Sequence, residues 1–117
     1  MPNNDKFKGK KKDLIKIGLK QNIVKARELY QKAADQGDIN AQYNLAFMYQ
    51  KGQGGEKQLD KARELYQKTA DKGNIDAIYQ LGTIYYEQLD LWKAENMFQK
   101  AARKGHKHAI NKLALYY

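Results

Sequence analysis

Residues 25–41 read KARELYQKAADQGDINA, and residues 61–77 repeat this stretch with few changes as KARELYQKTADKGNIDA. Thirteen of the seventeen positions are identical, at an offset of 36 residues. A third copy occupies residues 93–109 as KAENMFQKAARKGHKHA and matches the first copy at eight positions. Self-similarity at a fixed period of this length is the signature of a repeat architecture. The chain is therefore predicted to be a tandem repeat.

Each repeated unit is predicted to contain two helices. The quoted stretch places apolar or small residues at the spacing of one helical face, in the first copy at Ala26, Leu29, Tyr30, Ala33 and Ala34. Each copy then reaches a glycine that suits the left-handed position after a helix, at Gly37, Gly73 and Gly105. Polar residues able to cap the next helix follow in the first two copies, at Asp38 or Asn40 and at Asn74 or Asp76.

The helix after each glycine carries an alanine, a leucine, a small residue and a tyrosine. These residues are Ala41, Leu45, Ala46 and Tyr49, then Ala77, Leu81, Gly82 and Tyr85, then Ala109, Leu113, Ala114 and Tyr117. The small residue after each leucine allows a neighbouring helix to approach closely. One such pair cannot bury its apolar face alone, so the units are expected to stack into a solenoid.

The recurring motif is Ala-x-x-x-Leu-(Gly/Ala)-x-x-Tyr, a glycine-containing loop, and Lys-Ala-x-x-(Leu/Met)-(Tyr/Phe)-x-Lys-(Ala/Thr)-Ala-x-x-Gly. Over about residues 25–117 it resembles the Sel-one-like repeat, a relative of the tetratricopeptide repeat, and Tyr49 to Gly54 resembles that family's Tyr-x-x-Gly-x-Gly loop. The resemblance implies an all-α fold, an α-solenoid of antiparallel helix pairs with about six or seven helices. Two departures concern the loops: Gly55 stands where the family usually has an apolar residue, and the Tyr85–Lys93 connection is four residues shorter than Tyr49–Lys61.

The units are predicted at about residues 13–36, 41–72 and 77–104, with a terminal helix at 109–117. Together they form one domain over 13–117, after a basic tail at 1–12 that is expected to be disordered. Residues 14–19, LIKIGL, leave two interpretations open. They are either a decayed copy of the leucine-containing helix or part of one continuous helix from about 13 to 36.

The composition excludes several kinds of chemistry. The 117 residues contain no cysteine and no serine, and Pro2 is the only proline. A thiolate metal site and a cysteine or serine nucleophile are therefore excluded. The acidic residues lie mainly at repeated surface positions such as Glu28 and Glu64, and no acid/base pair stands out. We expect a protein without enzymatic activity and without a cofactor.

No apolar run approaches the roughly 18 residues that span a bilayer, and the polar N-terminus lacks the apolar segment of a secretory signal. A cytoplasmic location is expected, with secretion by a signal-less route left open. The Lys-, Asn-, Ile- and Tyr-rich composition is compatible with an AT-rich bacterial genome.

The resemblance also suggests where a partner binds. In the tetratricopeptide family the first helix of each pair lines an inner groove, and aligning on the repeated leucines transfers those positions to this chain. They fall on Tyr43, Phe47, Gln50, Tyr79, Thr83, Tyr86, Asn111 and Leu115, and His108 lies at the start of the last helix. Exposed aromatic residues suit a protein or peptide interface. The resemblance therefore implies an adaptor or scaffold with a protein partner, while simple packing against the adjacent repeat remains the alternative for these residues.

The net charge of +9 describes two basic ends on a nearly neutral middle, so it does not make the whole chain a binder of anions. Residues 1–25 carry +6 and residues 100–117 carry +5, whereas residues 26–99 carry −2. The lysine-rich ends, including Lys6, Lys8, Lys10, Lys11 and Lys12, are an alternative site for nucleic acid or an anionic membrane surface. Nucleic acid is the less favoured partner because the N-terminal run lacks arginine and has a single aromatic residue, Phe7.

Three further features of the sequence are weaker indications of function. His106 and His108 form a His-x-His pair, but no third ligand is near in sequence, so a metal site is not expected. Gly52 to Gly55 match neither phosphate-binding glycine motif, and a helix-connecting loop is the better interpretation. Residues 109–117 end in apolar and aromatic side chains, which makes self-association through this segment a further possibility.

Overall fold

The computed structural model describes the chain over residues 4–115, with side-chain surroundings described over residues 20–115. Within this range the fold consists of six α-helices and contains no strand. The helices are α1 (Asn4–Asp35), α2 (Ile39–Lys51), α3 (Leu59–Asp71), α4 (Ile75–Glu87), α5 (Leu91–Arg103) and α6 (Lys107–Ala114). Each helix packs against the next one in the chain. The predicted all-α solenoid is confirmed.

The helix ends follow the predicted signals. Gly37, Gly73 and Gly105 adopt φ values of 91°, 94° and 91°, the left-handed conformation that a glycine reaches without steric cost. The helices that follow are capped by side chains, because Asp38 accepts from the Ala41 N–H and Asn74 accepts from the Ala77 N–H. Of the two cap candidates in each copy, the residue directly after the glycine is the one that caps.

The first helix differs from the predicted tail and unit boundary. α1 runs without interruption from Asn4 to Asp35, which agrees with the continuous-helix interpretation of 13–36. It begins inside the range 1–12, where we expected a tail, and residues 4–12 continue the same helix. Lysine is a good helix former and no proline follows Pro2, so nothing in this segment interrupts the helix. Residues 1–3 lie outside the described range, and for them the expected disorder stays a prediction.

The core lies where successive helices cross. Its central cluster of buried residues is drawn from α2, α3 and α4 and comprises Ala46, Ala62, Tyr66, Ala77, Leu81 and Ile84. The small residues allow aromatic rings to enter between the helices. At Gly82 of α4, an added Cβ would lie 2.6 Å from the Phe98 ring of α5, so glycine is required there by close packing. In α4, the small position after the leucine therefore receives an aromatic side chain from the next helix.

The two sequence departures correspond to two different loops. In the longer loop between α2 and α3, the Arg27 guanidinium of α1 donates to the carbonyl oxygens of Gln53 and Glu56. A Cβ on Gly55 would meet that guanidinium, so a larger residue there requires the end of the Arg27 side chain to move. The shorter turn between α4 and α5 is closed by Leu89, whose φ of 62° is left-handed although it is not a glycine.

Candidate partner-binding groove

The predicted groove residues lie on α2, α4 and α6, the first helices of the helix pairs, and they differ in exposure. Tyr43, Phe47, Tyr79 and Thr83 are half-buried, Asn111 is exposed, and Tyr86 is 46% exposed. Gln50 is only 3% exposed. The set therefore contains residues that reach the surface and one that does not.

Gln50 belongs to a buried hydrogen-bond network. The Tyr66 hydroxyl of α3 donates to Gln50 Oε1 at 2.7 Å, and Gln50 Nε2 donates to Gln80 Oε1 of α4 at 3.1 Å. A buried polar group without a partner is costly, and this chain of bonds satisfies both the hydroxyl and the amide. The expectation that Gln50 faces a partner is wrong, because its side chain joins three helices in the interior.

Tyr43 lies at the edge of the same network. Its ring makes an edge-on contact with the Tyr66 ring, with centroids 5.4 Å apart. Burial raises the pKa of Tyr43, a hydrogen bond with Gln80 opposes the rise, and the charge of Asp76 adds to it. Burial also raises the pKa of Tyr66 strongly. Tyr43 thus has one face held by the interior and only part of its ring available to a partner.

Tyr79 forms the centre of a second cluster, made with residues of α5 and α6. Its ring stacks on His106 with centroids 4.5 Å apart and an interplanar angle of 14°. The Phe98 ring lies 5.5 Å away and the His108 ring 6.1 Å away. These contacts fix the ring of Tyr79 in position, as a preformed binding surface requires.

Lys112 of α6 lies close to three aromatic rings. Its Nζ atom is 5.2 Å from the centroid of Phe98, 5.6 Å from Tyr86 and 5.9 Å from Tyr79. An ammonium within about 6 Å of a ring face is attracted to it. Lys112 is not among the predicted groove residues, because the contact joins three helices and no motif in the sequence signals it.

Three groove residues lie apart from these clusters. The Phe47 ring has the Lys51 ammonium 5.7 Å from its centroid. The Thr83 hydroxyl donates to the Tyr79 carbonyl oxygen at 3.3 Å within α4. Asn111 is exposed on α6, in the position that tyrosine occupies on α2 and α4. The structure therefore brings Tyr79 and Tyr86 together through Lys112, and Tyr43 and Gln50 together through Gln80.

The His-x-His pair has a structural role at the start of α6. The Ala109 N–H donates to His106 Nδ1 at 3.2 Å, which makes His106 the cap of α6. His106 Nε2 lies 2.9 Å from Asp76 Oδ1, so both ring nitrogens have partners. Among the residues that the structure describes, no group of three or more potential ligands could hold a metal ion.

The structure describes the side chains of only one of the two basic ends. The side chains of Lys6 to Lys12 lie outside the described residues, so the alternative site there has no structural account. At the other end, Lys100, Arg103, Lys104 and Lys107 are exposed, and Lys100 and Arg103 lie in the last turn of α5. Positive charge at that position interacts favourably with the negative end of the helix dipole. Over the part of the chain that the structure describes, no helix is long and apolar enough to cross a bilayer.

A second apolar feature lies at the start of α5, the second helix of the α4–α5 pair. Leu89, Leu91 and Trp92 are all exposed, and Trp92 is 72% exposed. This turn is not among the predicted sites. One signal in the sequence points to it, because Trp92 is the only tryptophan and it lies just before the third copy of the repeated stretch, which starts at Lys93.

Repeated helix pairs that stack on their neighbours along the chain define the class of helical-repeat solenoid proteins. A model of the Sel1 repeat matches residues 11–38, 39–74 and 75–106. The chain belongs to the Sel1 repeat family, as its sequence motif implied. Members of this family are generally protein-interaction modules and typically non-enzymatic scaffolds.

Two solved structures are similar to this chain. One is a protective antigen present in uropathogenic Escherichia coli strains, with an SLR fold, a TM-score of 0.68 and 30% sequence identity over 75% of this chain. The other is a Sel1 repeat protein from Oxalobacter formigenes, with a TM-score of 0.68 and 29% identity over 81% of this chain. The matches span 20% and 40% of those two longer chains. No curated protein matches the sequence.

Proposed function

We propose that this protein is an adaptor that binds a protein or peptide partner along the first-helix groove. The supporting observation is that aromatic rings on α2 and α4 pack against interior side chains on one side and remain partly exposed to solvent. Tyr43 is held by Tyr66, and Tyr79 by Phe98 and His106. Rings that are already fixed lose little conformational freedom on binding, and aromatic residues of this kind contribute much of the affinity at interfaces.

The proposed mechanism is binding without chemistry. Phe47, Tyr79 and Tyr86 provide apolar contact area, while Thr83 and Asn111 provide polar contacts that select the partner. The family's general role in protein interaction supports a protein partner. A non-enzymatic adaptor in a bacterial cytoplasm is the form of the proposal that fits the composition of the chain.

The test is capture of a partner with and without the exposed rings. The double variant Phe47→Ala with Tyr86→Ala removes two groove rings that lie outside the Tyr66 network. We expect partner proteins captured by the immobilised chain from its native cells, and identified by mass spectrometry, to be lost in the double variant. The matched control is Trp92→Ala, which removes an exposed ring at the start of α5 and leaves the groove intact. Equal capture by the double variant and the wild type would contradict the proposal.

A second candidate function is binding to an anionic surface, supported by the exposed cluster of Lys100, Arg103, Lys104 and Lys107. Such binding weakens steeply as salt concentration rises, because bound counterions are released. Heparin chromatography distinguishes the two candidates. Elution of the wild type at low salt, with no change when Lys104 and Lys107 become glutamine, would exclude the anionic surface.

A further inference from the structure

Equivalent repeat positions are filled differently at the two places where side chains of one first helix reach the next, which we call the α2–α4 junction and the α4–α6 junction. The positions are matched by the repeat offsets, 36 residues from the first copy to the second and 32 residues from the second to the third. The α2–α4 junction has Tyr43, Gln50 and Gln80, and the α4–α6 junction has Tyr79, Tyr86 and Lys112. Two glutamines in one junction are thus replaced by a tyrosine and a lysine in the other.

The α2–α4 junction is closed by hydrogen bonds between uncharged side chains. Gln50 is 3% exposed, and its amide donates to Gln80 Oε1 at 3.1 Å. Gln50 Oε1 accepts from the Tyr66 hydroxyl at 2.7 Å, and Gln80 also forms a hydrogen bond with Tyr43. The side chains of this junction therefore bond mainly to one another.

The α4–α6 junction is open and carries a positive charge. Tyr86, at the position of the buried Gln50, is 46% exposed. Lys112 is half-buried, and its ammonium lies 5.6 Å from the ring centroid of Tyr86 and 5.9 Å from that of Tyr79. None of the ion pairs between side chains that the structure describes includes Lys112. The charge at this junction is therefore paired with aromatic rings instead of a carboxylate.

The ring faces satisfy the Lys112 ammonium only in part. They attract its charge, but they have no oxygen atom to accept from its three N–H groups. Partial burial also costs a charged group some of its hydration, which an opposite charge offsets. A carboxylate supplies both the charge and the acceptor oxygens, and its attraction to the ammonium is stronger beside apolar rings than in open water. The junction is therefore complementary to a carboxylate.

The carboxylates of the first helices are held by other side chains. α2 and α6 contain no acidic residue, and α4 contains Asp76 and Glu87. Asp76 Oδ1 lies 2.9 Å from His106 Nε2, and Glu87 pairs with Lys57. The anion that the α4–α6 junction fits is therefore one that a partner brings.

We propose that the partner of the groove is a protein segment with a glutamate or aspartate side chain that pairs with Lys112. Its carboxylate accepts from the Lys112 ammonium, and an apolar residue next to it in the segment packs on the rings of Tyr79 and Tyr86. The inference rests on the proposed function, because it specifies the chemistry of the partner that the groove binds. It assigns the selection of that partner to the α4–α6 junction.

The first test is selection of peptides by the immobilised wild-type chain from a random dodecapeptide library displayed on phage. Each displayed peptide continues into the coat protein and has no free C-terminal carboxylate, so an acidic preference reports on side chains. We expect the selected peptides to be enriched in glutamate or aspartate next to an aromatic or aliphatic residue. Selected peptides without acidic enrichment would overturn this inference and leave the function of the groove standing. A chain that selects no peptide would contradict both.

The second test assigns the acidic preference to one ammonium, because the basic ends of the chain also attract acidic peptides. A selected peptide is compared, by fluorescence anisotropy, with its copy in which glutamine or asparagine replaces each acidic residue. We expect wild type to bind the acidic peptide about tenfold more tightly, as a hydrogen bond to a charged group contributes. Lys112→Met keeps the apolar contact with the rings and is expected to bind both peptides equally. The matched control Lys104→Met removes an exposed charge at the end of α5 and is expected to keep the preference.

A preference retained by Lys112→Met, or lost equally in Lys104→Met, would overturn the proposal. Circular dichroism checks that both variants fold. A measurement on the wild type decides the question without any variant: a carbodiimide joins a carboxylate to a lysine amine that touches it, and mass spectrometry of the digested complex locates the bond. We expect the acidic peptide to be joined to Lys112. Bonds only to lysines of residues 1–25 or 100–107 would show that the peptide binds the basic ends instead.

A single-stranded oligothymidylate of twelve nucleotides tests the other source of negative charge. We expect it to displace the labelled acidic peptide from the wild-type chain far less effectively than the unlabelled peptide does. Displacement at equal concentrations would show that the junction accepts phosphate as readily as carboxylate, and would overturn the assignment to an acidic protein segment.

Discussion

The pairs α2–α3 and α4–α5 share one framework but fill their centres with different chemistry. In α2–α3 the central ring is Tyr66, and its hydroxyl reaches α4 through Gln50 and Gln80. In α4–α5 the central ring is Phe98, which lies against Gly82 and near the Lys112 ammonium. The first centre is polar and connects three helices, whereas the second depends on close apolar packing. A repeat framework thus specifies the position of a ring and leaves its chemistry free to vary.

Removing the apolar centre is expected to have the largest effect. Phe98 is buried, so Phe98→Ala leaves a cavity beside Gly82 and Tyr79. Truncation of a buried phenylalanine typically lowers the free energy of unfolding by about 3–5 kcal/mol. Chemical denaturation followed by circular dichroism measures the change. Trp92→Ala removes an exposed ring from the same helix and is expected to change stability by less than about 0.5 kcal/mol. Equal losses in the two variants would contradict a buried centre at Phe98.

Overfilling the same centre is expected to have the next largest effect on stability. A methyl group at Gly82 would lie 2.6 Å from the Phe98 ring, so one of the two must move. We expect Gly82→Ala to lower the free energy of unfolding by about 1–3 kcal/mol, as overpacking does in well-packed cores. This outcome opposes helix propensity, which favours alanine over glycine by about 1 kcal/mol. The α2–α3 pair accepts alanine at the equivalent position, Ala46.

The double variant Gly82→Ala with Phe98→Leu separates these two contributions. Leucine lacks the ring edge that collides with the new methyl group. The double variant is therefore expected to be more stable than the sum of the two single changes predicts. Strict additivity in the same denaturation assay would show that Gly82 is not constrained by Phe98.

The sequence was sufficient to predict the helix pairs and their glycine ends, and it narrowed each cap to two candidates, of which the structure selects Asp38 and Asn74. These features depend on residues close together in the chain. The sequence did not predict the burial of Gln50. Alignment of the repeats places that residue on the groove, and its bond to the Tyr66 hydroxyl is visible only in the folded chain. Lys112 was missed for the same reason, since its three rings come from α4 and α5. Contacts that join three helices are not encoded in any local spacing.

Breaking the polar centre is expected to cost less than emptying the apolar one. Tyr66→Phe keeps the ring and removes the donor to Gln50 Oε1. Leaving a buried acceptor without its partner typically costs about 1–3 kcal/mol. The loss of stability is measured by chemical denaturation as above.

The matched variant is Tyr66→Phe with Gln50→Met, which removes both polar partners and roughly keeps the buried volume. Replacing both members of a buried hydrogen bond by apolar groups can be nearly neutral. The double variant is therefore expected to recover part of the stability that Tyr66→Phe loses. A double variant less stable than Tyr66→Phe would show that the bond from Gln50 to Gln80 carries the larger share.

The smallest expected effect is the dependence of the free energy of unfolding on pH, which distinguishes the two centres. Burial raises the pKa of Tyr66 and Tyr43 above the ordinary value of 10.0, so both stay neutral in the folded protein where they ionise in the unfolded one. Their contribution to stability is complete below pH 10 and declines as pH rises, for the buried Tyr66 by up to about 1.4 kcal/mol per pH unit and for the partly exposed Tyr43 by less. Denaturation between pH 9 and about pH 11 measures the slope. Phe98 cannot ionise and contributes nothing to this decline, whereas Tyr66→Phe removes one of the two groups with a raised pKa and is expected to make the decline shallower. An unchanged slope in Tyr66→Phe would show that Tyr66 ionises equally readily in both states.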